Sequence, residues 1–123
     1  MNIYQATLAD IDDLIQLRID FLTMDQGRLS DQNEKEIRAQ LKVYLAKHIP
    51  LEDFIAVIAK HPTGKIASAA FLIIQERPAN PSFITGLTGT LLNVVTYPEF
   101  RRKGIASQVI GEIINEARQK RVS

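Results

Sequence analysis

The stretch LLNVVTYPEFRRKGIA, Leu91–Ala106, combines an apolar run, a basic turn and the start of a second apolar pattern. Its first half is rich in β-branched and other apolar residues, which predicts a buried strand. Pro98 interrupts the strand pattern. From there apolar residues recur at helical spacing over Gly104–Lys120, which predicts a helix. The stretch therefore predicts a strand, a short loop and a helix in direct succession.

The loop before this helix has the features of an anion-binding site. The first N–H groups of a helix have no internal partner, and the helix dipole is positive at that end. Gly104 and the small Ala106 let a ligand approach the backbone, and Arg101, Arg102 and Lys103 add positive charge beside them. The combination favours a diphosphate ligand. The basic residues by themselves are more typical of a solvated turn.

Outward from this stretch, the chain predicts three further strands and two further helices. Capping boxes at Thr7–Asp10 and Asp31–Glu34 mark the two helix starts. The order β-α-α-β-β-β-α is neither doubly wound nor all-β. It predicts one α+β domain over residues 1–123 with a mostly antiparallel sheet. The predicted elements are a strand at Ile3–Ala6, a helix from Thr7 to Gly27, a helix from Ser30 or Asp31 to Pro50, strands at Phe54–Ala59 and Ile66–Ile74, a loop at Arg77–Gly86 and a strand at Gly89–Thr96.

The composition is that of a single globular domain. The chain has 123 residues, 46% of them hydrophobic, and a net charge of +1 without a basic stripe, so we expect no nucleic-acid partner. No apolar run reaches the length of a membrane span and the N-terminus is polar, so we expect a cytoplasmic location. Cysteine is absent. His48 and His61, which we expect to be exposed, lack metal-ligand spacing, so we expect no metal.

Three motifs in the sequence resemble those of a known family. Arg101-x-x-Gly104-x-Ala106 resembles the Q/R-x-x-G-x-G/A signature of the GNAT superfamily of acyl-CoA N-acyltransferases. Asn93–Phe100 resembles the N-V-x-T-x-P lead-in to that signature, and Ala6–Leu14 resembles its A-T-x-x-D-I-x-x-L helix entry. The resemblance covers nearly the whole chain. It implies a GNAT-like fold and transfer of an acetyl group from acetyl-CoA to an amine of a small molecule or peptide.

The resemblance also implies roles for individual residues. Arg101 would begin and fix the loop, and Val94 and Val95 would offer backbone groups to the pantetheine arm. A backbone N–H near Val95 would stabilise the oxyanion of the transition state. The loop amides that would hold the CoA pyrophosphate belong to Arg102, Lys103, Gly104, Ile105 and Ala106.

Two polar residues are candidates for the chemistry itself. Asn93 could contact the substrate or the cofactor, and Glu99 could act as the base that keeps the amine neutral. Each has an ordinary alternative, a structural amide for Asn93 and a solvated carboxylate for Glu99. Tyr97 could reach the thiol or serve as an aromatic wedge. An acceptor pocket and a plain apolar core are the two interpretations of Phe21, Met24 and Tyr44.

The family fold normally continues with a fifth strand, a helix and a hairpin, whereas this sequence ends at Ser123. It would thus lack the usual C-terminal β-α-β-β part. A fragment, a natural short protein and a strand supplied by another chain all explain this, and the last predicts a homo-oligomer through Gly89–Thr96. A catalytically incompetent GNAT-like module, which binds CoA weakly or serves interactions, is the alternative function. A nucleic-acid-binding domain using Arg101–Lys103 is a third hypothesis, which the net charge disfavours.

Overall fold

Within the residues that the structure describes, four strands and three α-helices follow one another in the predicted order. The structure is a computed structural model that describes residues 1–122. The predicted mixed class with an antiparallel sheet is confirmed, and strand ends differ from the predicted ones by at most two residues. The elements are β1 (Asn2–Gln5), α1 (Ile11–Gln26), α2 (Asp31–Leu51), β2 (Phe54–Lys60), β3 (Ile66–Glu76), β4 (Leu87–Thr96) and α3 (Ile105–Gln119).

The start of α1 is fixed by the predicted capping box. The Thr7 backbone N–H donates to Asp10 Oδ2 at 2.8 Å, and Thr7 Oγ1 accepts from the Ala9 N–H at 3.3 Å. The box caps a single 3-10 turn, Leu8–Asp10, which leads directly into α1. The helix ends at Gly27, whose φ of 86° suits glycine. Both ends of α1 are therefore encoded locally.

The second helix starts at one of its two predicted caps and ends one residue later than predicted. Ser30 Oγ accepts from the Asn33 N–H at 3.1 Å, so Ser30 is the N-cap and the predicted Asp31–Glu34 capping box is wrong. Pro50 lies inside the last turn instead of ending the helix. The chain leaves the helix at Glu52, which has a left-handed φ of 60°.

The sheet has the strand order β1-β2-β3-β4, with every neighbouring pair antiparallel. Alternate residues of β2 enter two separate cores, which explains its unbroken apolar run. Phe54, Ala56 and Ile58 pack towards α1 and α2, whereas Ile55 and Val57 pack towards α3. The molecule is therefore three layers, with the sheet between two helices and one helix.

A β-bulge interrupts β4 next to its C-terminal end. Val95 pairs with Ala69 and Leu92 pairs with Phe71, so two residues of β4 oppose one residue of β3. The first of the two is Asn93, whose φ is 54°. Because of the extra residue, Leu92 and Val95 both pack on the α1 side although they are three positions apart. The bulge thereby changes which side chains and backbone groups the end of β4 presents.

The outer edge of β4 pairs with no other strand in residues 1–122. Leu91 and Val94, which are 42% and 37% exposed, lie on this strand. The same strand continues directly into the loop before α3. The C-terminal end of the open edge therefore adjoins the loop.

Candidate functional site

The loop between β4 and α3 passes through two residues in the left-handed region. Arg102 has a φ of 64° and Gly104 has a φ of 74°. A Cβ placed on Gly104 would meet no atom within 4 Å. The backbone conformation therefore favours glycine at 104, since L-residues with a side chain adopt it with some strain.

Successive backbone amides at the start of α3 are without a protein acceptor. In the described part of the chain, no N–H of residues 102–107 donates to a backbone or side-chain atom. The first bond of the helix at this end runs from the Gln108 N–H to the Gly104 carbonyl at 3.3 Å. Six adjacent free donors at the positive end of a helix dipole match a ligand with several anionic oxygens. A diphosphate meets that requirement.

The basic side chains of the loop are not neutralised by carboxylates. Arg101 Nε donates to the Thr96 carbonyl at 3.0 Å, which turns this residue back along the end of β4. Lys103 Nζ lies 6.0 Å from the centre of the Phe100 ring. Among residues 1–122, neither these two cations nor Arg102 forms an ion pair. Their positive charge is therefore available to a bound anion.

The backbone at the end of β4 divides between the sheet and the open edge. The Tyr97 N–H donates to the Ala67 carbonyl at 3.0 Å, and Ser68 Oγ donates to the Val95 carbonyl at 2.8 Å. In an antiparallel ladder, the backbone groups of every second residue point to the same neighbouring strand. The backbone N–H and carbonyl of Val95, two residues before Tyr97, therefore point towards β3. From the same alternation we expect the backbone groups of the bulge residue Val94 to face the open edge. Edge backbone groups of this kind can bind an extended ligand that carries amides.

Asn93 is buried and joins β4 to α1. It is 1% exposed, and its Oδ1 accepts from Arg18 Nη1 at 3.3 Å while its Nδ2 donates to the Leu17 carbonyl at 3.4 Å. Sequence reasoning did not find this contact. The one available signal was the position of Arg18 within the otherwise apolar stripe of α1.

Glu99 lies at the surface beside the site. Its side chain is 59% exposed, and Oε2 lies 3.6 Å from Lys65 Nζ. Phe21 and Met24 of α1 border a cleft with Val94 and Val95. Tyr44 lies elsewhere, between α2 and the sheet.

Tyr97 is a polar wedge between the two cores. Its ring packs against both core clusters, and its hydroxyl donates to Asp20 Oδ2 at 2.6 Å. Burial raises the pKa of the Tyr97 hydroxyl well above its ordinary value, and the hydrogen bond and negative charge of Asp20 act in the same direction. A raised pKa in the folded state means that folding favours the protonated phenol.

Tyr97→Phe is expected to lower the free energy of unfolding by about 1 kcal/mol at pH 7, because it removes a hydrogen bond to a carboxylate. The contribution of Tyr97 is present in full below the pKa of about 10 of the unfolded chain and is lost as pH rises above it. The variant should therefore lose less stability than the wild type above pH 10. Urea unfolding at pH 7, 9 and 11 measures both effects. If the difference in free energy of unfolding between the two proteins were the same at all three pH values, this assignment would be wrong.

The two histidines are not exposed as predicted. His48 Nδ1 lies 2.9 Å from Asp53 Oδ1 and its ring centre lies 4.4 Å from that of Tyr44, while His61 lies 5.5 Å from the Phe100 ring centre. Both imidazoles are partly buried. The contact of His61 with Phe100 joins distant positions, whereas Tyr44 and Asp53 are local neighbours of His48. No cluster of three or more histidine or acidic side chains suited to a metal occurs within the described residues.

Comparison with family models matches residues 13–123 to the acetyltransferase (GNAT) family. The chain belongs to this family, and the resemblance based on the Arg101–Ala106 signature is confirmed at the level of the family. A comparison with curated proteins finds no match. Across residues 1–122, no helix has the length and apolar character needed to cross a membrane.

Solved structures of acetyltransferases share the fold. A predicted acetyltransferase with acetyl-CoA from Clostridium acetobutylicum matches 99% of this chain and 76% of its own, with a TM-score of 0.84 and 24% identity. A GCN5-related N-acetyltransferase from Ralstonia eutropha JMP134 matches 98% of this chain and 78% of its own, with a TM-score of 0.82 and 14% identity. Glucosamine-6-phosphate N-acetyltransferase from Arabidopsis thaliana matches 98% of this chain and 76% of its own, with a TM-score of 0.68 and 17% identity. At these identities the likeness establishes the fold.

Proposed function

We propose that this protein is an N-acetyltransferase that binds acetyl-CoA through the loop before α3. The observation that carries the proposal is the row of free amides at residues 102–107, flanked by unpaired cations. Membership of the GNAT family and a solved structure of similar fold with acetyl-CoA support it. Acetyl-CoA supplies the acetyl thioester, and the chain supplies binding and orientation.

The amides from Arg102 to Ala106, which include those of Lys103, Gly104 and Ile105, hold the pyrophosphate in this proposal. Arg101 fixes the loop through its bond to the Thr96 carbonyl. The edge-facing backbone of Val94 binds the pantetheine arm. We assign the oxyanion-stabilising N–H to the bulge, at Val94 in preference to Val95, because the ladder directs Val95 towards β3.

The acceptor amine must lose its proton before it attacks. Glu99 is the carboxylate directly after β4, but it is exposed and lies beside Lys65. We therefore propose that water carries the proton to solvent and that Glu99 assists at the outer end of this route. Asn93 acts as a positioning residue that fixes the bulge against α1.

Calorimetry with acetyl-CoA tests the cofactor assignment. We expect a dissociation constant between about 1 μM and 1 mM, the range of most enzyme KM values. Pantetheine lacks the diphosphate and should bind at least tenfold more weakly. Equal affinity for the two ligands would show that the loop does not hold the diphosphate.

Thiol release from acetyl-CoA with a panel of amines then tests catalysis. The alternative function, a GNAT-like module without activity, predicts binding without thiol release. The cytoplasmic location and a homo-oligomer through β4 stay predictions, which fractionation and light scattering respectively address.

A further inference from the structure

Arg18 is a cation on the apolar face of α1. It is partly buried, and its guanidinium donates one hydrogen bond, to Asn93 Oδ1 at 3.3 Å. The guanidinium carbon also lies 5.9 Å from the centre of the Phe21 ring. No carboxylate of residues 1–122 forms an ion pair with it. A guanidinium has five N–H donors, so most of its capacity for an anion is unused.

Arg18 borders an apolar cavity of about 340 Å³ between α1, α2 and the sheet. The walls are mainly aliphatic and aromatic side chains, including Leu22, Leu41, Phe71 and Leu92. Arg18 is the one charged residue among the described residues that line it. An apolar pocket with a single charged group typically binds an apolar ligand with one group of opposite charge. The volume is at the small end of ligand pockets.

The cavity adjoins the proposed acetyl-transfer site. Leu92 lines the cavity and is followed in the chain by Asn93, the partner of Arg18, and by Val94 at the open edge. A ligand anion on Arg18 would therefore lie close to the bulge where the amine must react. This favours an acceptor in which the anionic group and the amine are only a few bonds apart.

We infer that the acceptor is a small amine that carries a carboxylate and an apolar body, of the size of an apolar α-amino acid, with its carboxylate on Arg18. The inference rests on the proposed function. The side chain occupies the cavity and the α-amine points to the bulge. The amine nitrogen forms a bond to the acetyl carbon as the carbon–sulfur bond breaks. Of the two protons that the ammonium group loses, one goes to the CoA sulfur and the other to solvent.

The unpaired Arg18 argues against a polypeptide acceptor. A peptide has no carboxylate on its first residue, since that group is in the peptide bond, so it would leave Arg18 unpaired. Burial of an unpaired cation beside a bound ligand is costly, and a site built to bind a charge rejects ligands that lack it.

Leucine and leucinamide are a matched pair of probes. They differ in the carboxylate alone, and the amide has the more readily deprotonated amine. Without a role for Arg18, leucinamide should be the equal or better acceptor. We expect leucine to have at least a tenfold higher kcat/KM in thiol release. The ratio should fall at least tenfold in Arg18→Met, while Arg18→Lys should keep part of it.

Product binding tests the inference without catalysis. We expect N-acetylleucine to bind at least tenfold more tightly than N-acetylleucinamide, measured by calorimetry on the protein with and without CoA, and Arg18→Met to remove the difference. Arg118→Met is the control, because Arg118 is exposed on α3 across the sheet from the cavity. Thermal melting and acetyl-CoA binding of each variant establish that the fold is retained.

The possible failures are distinct. Failure of acetyl-CoA to bind would overturn the proposed function. Equal use or equal binding of the acid and the amide by the wild type, or binding of neither, would overturn the inference about Arg18 even where acetyl-CoA binds. An unchanged preference for the acid in Arg18→Met would do the same.

Discussion

Gly104→Glu is expected to weaken acetyl-CoA binding more than a hundredfold. A carboxylate at 104 would lie among the free amides of residues 102–107 and would repel the diphosphate that they are proposed to bind. The substitution also strains the backbone, because Gly104 has a φ of 74°. Calorimetry with acetyl-CoA, together with urea unfolding, measures the two effects separately.

Two control variants separate charge from backbone strain. Gly104→Asn introduces a neutral side chain that tolerates left-handed φ better than most, so it should bind acetyl-CoA more tightly than Gly104→Glu. Gly111→Glu adds the same charge to α3 at an exposed position where a Cβ meets no atom within 4 Å. Its affinity should match the wild type. Full affinity in Gly104→Glu would show that the diphosphate binds elsewhere.

Asn93→Val is expected to lower the free energy of unfolding by about 3 kcal/mol, from about 1–2 for a β-branched residue in the left-handed region and about 0.5–1.5 for each lost buried hydrogen bond. Asn93 has a φ of 54° and bonds both Arg18 and the Leu17 carbonyl. Urea unfolding measures the change.

The control for this prediction is Asn93→Gly. Glycine accepts the φ of the bulge but removes the two side-chain bonds, so it should be less destabilising than valine. Thiol release should fall in both variants, because the bulge includes Val94, whose backbone is proposed to bind the pantetheine arm. A valine variant as stable as the wild type would mean that the bulge relaxes at no cost and that Asn93 does not fix it.

Local signals predicted most of the fold. The capping box at Thr7, the glycine at 27 and the buried strand at Phe54–Ala59 were each predicted from neighbouring residues, and each was found in the structure. The end of α2 was predicted one residue too early, at Pro50. A proline restricts the residue before it, but the final turn of α2 still extends one residue beyond Pro50.

Contacts between distant residues were not predicted. The bond between Arg18 and Asn93 joins positions 75 residues apart, and that between Asp20 and Tyr97 joins positions 77 apart. The contact between the rings of His61 and Phe100 likewise joins positions 39 residues apart. The bulge left no clear local signal, because asparagine at 93 fits a regular strand end equally well.

The sequence by itself determined the loop before α3, because its signals are local. Glycine sets the φ at 104, the helix start leaves its amides free, and the neighbouring residues are basic. Tertiary structure alone decided the other half of the site. The packing of α1 against the bulge brings Arg18 to Asn93 and not to a carboxylate. The same packing decides which way the end of β4 turns its backbone. That packing arises from buried contacts between distant segments, which no local pattern specifies.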